Sequence, residues 1–109
     1  MYEKIKELYD RLRVDTASFM MYQDRMMEKK VYKNIPQIQE FVIWFLEKNQ
    51  FGFEDKVYQD MCQDLLNILS DLLKAMEQHD QVIINDTLAY GFMNYLELIN
   101  KSEKEDQPG

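Results

Sequence analysis

Residues 58–76, YQDMCQDLLNILSDLLKAM, decide the fold class. Placed at about 100° per residue, Tyr58, Met61, Cys62, Leu65, Leu69, Leu72, Leu73 and Met76 fall on one face, while Gln63, Asn67, Asp71 and Lys74 fall opposite. An apolar stripe with that period is the pattern of an amphipathic helix that buries one side. Such a helix needs partners, and the rest of the chain supplies three. Upstream, Tyr2, Ile5, Leu8, Tyr9, Leu12, Phe19, Met20, Met26 and Met27 share a face. Next come Ile38, Phe41, Val42, Phe45 and Leu46, and downstream Ile84, Leu88, Phe92, Tyr95 and Ile99. No run alternates with period two for the length of a strand. The sequence therefore predicts an all-α protein, an antiparallel up-down-up-down four-helix bundle in one domain spanning residues 1–100.

Gly and Pro are few, so the places where they meet Asn or Asp mark the junctions. Asn34-Ile35-Pro36-Gln37 reads as a helix start, with Asn34 as cap, Pro36 in the first turn and Gln37 closing an Asn-x-x-Gln capping box. Asn49-Gln50-Phe51-Gly52 reads as a stop, with Glu54 and Asp55 suited to the next helix N-terminus. Asp80 reads as an N-cap after His79. The expected helices span about 2–30, 35–49, 54–78 and 81–100. Residues 101–109 contain no apolar side chain and are expected to form a disordered acidic tail.

Thirteen Lys and Arg against twenty Asp and Glu leave a net charge of −7. Only Lys29, Lys30 and Lys33 cluster, and that argues against nucleic acid as a partner, because phosphate binding draws its affinity from displaced counterions. The longest apolar run, Phe41 to Leu46, is too short to cross a bilayer. Glu3, Lys4, Lys6 and Glu7 interrupt any secretory leader, and the lone Cys62 forms no internal disulfide, so a cytoplasmic location is expected with no membrane partner.

The chemical inventory is small. One histidine, His79, has no second metal ligand at helical spacing, and Cys62 lies on an apolar stripe as a small buried residue. No glycine-rich phosphate loop and no Glu-x-x-His metal motif occurs. The expectation is a protein without enzymatic activity, cofactor or metal. Thr16 and Gln23 are polar at core phase, which fits satisfied hydrogen bonds or, alternatively, the lining of a small-ligand or sensory pocket.

Some apolar residues lie outside the stripes. Val14 and Met21 sit about 180° from the first stripe, Ile43 and Trp44 about 130° from the centre of the second, and Ile83 and Tyr90 to one side of the fourth. Wide buried faces in a bundle account for such residues. The alternative is an interface with a protein partner or a second copy, with Trp44 and Tyr90 as aromatic anchors.

The run Glu77 to Tyr90, EQHDQVIINDTLAY, resembles an acidic-apolar signature of small helical-bundle proteins, a domain of unknown function, in Firmicutes-type bacteria. Asp80, Val82, Asp86, Leu88 and Tyr90 match it; Gly91 stands where that family has Glu, and Asn94 where it has Pro. The resemblance covers mainly residues 56–98. It implies a helical bundle without enzymatic activity, some of whose members lie near motility genes, which suits an adaptor or chaperone-like role.

Overall fold

The computed structural model describes residues 1–106. They form α1 (Tyr2–Tyr22), α2 (Met27–Glu47), α3 (Asp55–Glu77), α4 (Gln81–Thr87), a π-helical turn (Leu88–Phe92) and α5 (Met93–Asp106), with no strand among them. The last three follow one another without a break and act as one fourth arm. α1 packs on α2 and α5, α2 on α3, and α3 on α4 and the π turn, so four helical arms pack together around one core. At its centre Leu12, Val31, Ile38, Phe45, Leu65 and Leu72 have no solvent-accessible surface. The Phe41 ring meets Phe92 of the fourth arm edge-on, with centroids 5.5 Å apart.

The first junction lies upstream of the expected one. Instead of one helix over 2–30 and a new start at 35, α1 ends at Tyr22 and α2 begins at Met27. Gln23 takes the left-handed conformation (φ 49°, ψ 50°) and its N–H donates to the Phe19 carbonyl at 2.8 Å, closing α1. Asp24 then opens α2, accepting from the Met26 N–H at 2.9 Å, from the Ser18 hydroxyl at 3.4 Å and from the Lys30 ammonium. Asn34 caps nothing. It is buried within α2, where its amide donates to the Lys30 carbonyl at 3.1 Å and to Asp15 at 3.4 Å. Pro36 lies in the helix interior. The carbonyl it leaves without a donor belongs to exposed Tyr32, within reach of water.

At the second junction Gly52 has φ 77°, a conformation that favours glycine, and the Asn49 amide donates to the Phe53 carbonyl across the turn. At the third, Asp80 accepts from the Ile83 N–H at 3.1 Å. Helix also continues past residue 100, where a disordered tail was expected. α5 runs to Asp106, the Lys101 and Glu97 side chains pair one turn apart at 3.2 Å, and Glu103, Lys104 and Glu105 are strong helix formers. Residues 107–109 of the expected tail lie outside the described residues.

Candidate interaction surface

The outer side of α2 carries the clearest functional geometry. Tyr32, Pro36, Gln39 and Ile43 follow at i, i+4, i+7 and i+11, so they form one line along the helix. All four are exposed, Tyr32 to 72% and Ile43 to 63%. A groove of about 560 Å³ opens beside the first half of this line, floored by Tyr32, Ile35, Pro36, Leu73 and Met76 and rimmed by Glu28, Glu77 and His79. A second, of about 440 Å³, opens beside the other half, where Pro36, Ile43, Trp44 and Met1 meet Gln39, Glu40 and Glu47. Pro36 belongs to both, so the two grooves form one apolar track with carboxylates at each end.

Trp44 closes the track from a fixed position. Its ring stands edge-on to Tyr2 (5.8 Å) and Phe51 (5.2 Å) and is tilted against Phe41 (6.0 Å). It is therefore half-buried, a rigid wall more than a free anchor. Beside it Lys4 pairs with Glu40 at 2.9 Å, a hydrogen bond that raises the lysine's affinity for its proton. At the other end His79 Nδ1 lies 2.7 Å from Glu28 Oε1.

Of the six apolar residues singled out in the sequence, two line the track and one lines a second groove. Ile43 and Trp44 share the track. Val14 lies in a different groove, of about 510 Å³ between α1 and α2, among Asp10, Arg11, Asp15, Lys30 and Lys33. There burial pushes the Asp15 carboxyl above its ordinary range, against the pull of Lys30. Met21, Ile83 and Tyr90 are exposed at 70%, 45% and 69% and line none of these grooves.

Neither Thr16 nor Gln23 lines the grooves described above. Thr16 is buried, and its hydroxyl donates to the Leu12 carbonyl at 2.8 Å, which satisfies it locally. Gln23 is the exposed residue that ends α1. Sequence reading missed Tyr32 and Pro36. Their spacing with Ile43 is legible only for a helix that begins before residue 32, and the expected start at Asn34 leaves Tyr32 in the connection between two helices.

Comparison of the chain with protein-family models, with curated proteins and with solved structures finds no match, so the functional reading rests on this geometry.

Proposed function

We propose that the chain is a non-catalytic protein-interaction module, an adaptor or chaperone-like bundle that presents the track along α2 to a protein partner in the cytoplasm. The observation that carries this reading is the exposed line Tyr32, Pro36, Ile43 ending on Trp44. Large apolar side chains held in a row on a rigid helix, beside concave floors, are the arrangement that binding hot spots use. Nucleic acid and membrane are left aside, because the carboxylates at both ends of the track repel phosphates and anionic lipid.

The proposal includes the antiparallel up-down-up-down topology. Three sets of side-chain pairs support it. Tyr2 with Trp44, Lys4 with Glu40 and Asp15 with Asn34 join the start of α1 to the end of α2 and the reverse. Phe45 with Tyr58 and Glu28 with His79 do the same for α2 and α3. Tyr95 with Asp64, and Gly91 beside Ile68, do so for α3 and the fourth arm. The resemblance to Firmicutes-type bundle proteins adds a motility-associated setting to the same proposal.

The test places a photo-reactive benzoylphenylalanine at Ile43, and separately at the exposed Asp71 of α3 as a control, in cells that express the chain. A discrete adduct from position 43 and none from position 71 is the expected result. No adduct, or the same adducts from both positions, overturns the reading.

A further inference from the structure

We infer that the occupant of the α2 track is a basic amphipathic helix of a partner protein, an assignment that rests on the interaction reading above. The first argument is the segregation of charge. No Lys or Arg lines either half of the track, whereas Glu28 and Glu77 rim one end and Glu40 and Glu47 the other. Lys30, Lys33 and Arg11 are gathered instead in the separate groove between α1 and α2. Glu40 is occupied by Lys4 and Glu28 by His79, while Glu77 and Glu47 have no ion-pair partner among the described residues. A partner cation at each end meets a carboxylate free to receive it.

Shape supplies the second argument. From Tyr32 to Ile43 the track runs roughly 16 Å at the helical rise, three turns of a helix lying alongside. A helix with apolar residues at i, i+3 or i+4, i+7 and i+11 seats one side chain per turn on this floor. Its Lys or Arg residues then flank the apolar stripe and reach the two ends. A second copy of this chain fits poorly. The chain carries −7, and a copy docking through the same face would set acidic rims against acidic rims.

The chain carries its own reporter, because its sole tryptophan, Trp44, stands at the end of the track. Two synthetic peptides of about 18 residues, long enough to cover the track, serve as probes. They share a Leu face and differ in having Lys or Glu on the polar face. Titration of the full chain with the Lys peptide is expected to shift Trp44 emission to the blue and to bind at least tenfold tighter than the Glu peptide. Added salt should narrow that difference by screening. Ile43→Asp, with helicity unchanged by circular dichroism, should abolish the response; should it disturb the fold, Tyr32→Asp at the other end reads the same track. The double reversal Glu47→Lys with Glu77→Lys should transfer the preference to the Glu peptide.

Equal affinity for the two peptides, preference for the Glu peptide, or indifference to the double reversal overturns the basic assignment. So does the absence of any Trp44 response, or a dimer mass in solution that Ile43→Asp abolishes, which would make a second copy the occupant. Each of these leaves the interaction reading to be decided by the cross-link at position 43, so the two can fail separately.

Discussion

Asn85 shows how a single polar side chain can weaken a core that is otherwise apolar. It is 2% exposed on α4, and its side-chain oxygen has no hydrogen-bond partner, whereas buried Thr16 and Asn34 both have theirs. A buried acceptor without a donor costs about 1–3 kcal/mol. Truncation removes that penalty while opening a small cavity, so the two effects oppose each other. Asn85→Ala is expected to stay within about 1 kcal/mol of the parent, while its neighbour Ile84→Ala, which loses only apolar packing, costs about 2–5 kcal/mol. Urea midpoints of the two variants check this, and equal losses would refute it. Tyrosines give the alkaline counterpart. The Tyr58 hydroxyl donates to the Phe45 carbonyl, and burial, followed by the adjacent Cys62, pushes its phenol from the ordinary 10.0 up to about 12. Tyr95, donating to Asp64 at 2.5 Å, is pushed up by burial as well. A phenol whose folded value is raised adds stability that is complete below its free value and lost as pH climbs towards the raised one. Stability should therefore fall between about pH 10 and 12, with two late tyrosines in an absorbance titration at high pH. Tyr58→Phe should flatten that fall; an unchanged slope would show that Tyr58 does not carry it. Thr16 was legible in the sequence as a polar residue at core phase. Asn85 was not, because one-helix phase places it at the stripe's edge and says nothing of what the opposing helices bring.

Phase also explains what happens in the fourth arm. At a constant 100° per residue the stripe Ile84, Leu88, Phe92, Tyr95 and Ile99 omits Met93 and Leu96. Both are buried, Leu96 completely, while Tyr95 is only half-buried. The π turn at Leu88–Phe92 is the cause: its wider i→i+5 pattern turns each residue through a smaller angle, so the helix beyond it presents a rotated face. The Asn94 amide donates to the Tyr90 carbonyl at 2.8 Å within this altered ladder. Gly91 lies in the same turn, beside α3. A Cβ there would meet the Ile68 side chain at 3.5 Å, ordinary contact, and Gly91 needs no positive φ. Gly91→Ala is accordingly expected to stabilise the protein by about 0.5–1 kcal/mol through reduced backbone entropy. Gly91→Leu should destabilise it, since the larger side chain has to displace Ile68. A loss on Gly91→Ala in thermal melts would mean that the π turn itself requires glycine. At the first junction the break has a different origin. The stripe of α1 continues in phase through Met26 and Met27, so nothing apolar marks the break; the turn is made by Gln23 in an unusual conformation and by the three bonds of Asp24.

Across the whole molecule, what the sequence could not give is which faces meet. Each stripe identifies the inner side of one helix, and that was enough to predict an all-helical chain. Trp44, about 130° off its own stripe, is nevertheless half-buried, because Tyr2 and Phe51 close over it from elsewhere in the chain. The same logic governs the centre. α2 and the fourth arm lie on opposite sides of the ring formed by the four packed arms, and the Phe41–Phe92 pair bridges that diagonal at 5.5 Å with planes at 89°. Phe41 also lies 6.1 Å from Phe45 of its own helix, and Phe45 lies 5.5 Å from Tyr58 of α3, so a chain of rings runs through three arms. Phe41 is 1% exposed, so removing its ring opens a cavity in the core. Phe41→Ala is expected to cost about 3–5 kcal/mol, a large share of the roughly 5–15 kcal/mol that holds a domain folded. If the ring pair acts as a unit across the diagonal, Phe92→Ala should lose less in the Phe41→Ala background than in the parent, by about 0.5–1.5 kcal/mol. Urea unfolding followed by helicity measures all four corners of that cycle. Strictly additive losses would show that the two rings stabilise their own arms independently, and that the bundle is closed by its adjacent pairs alone.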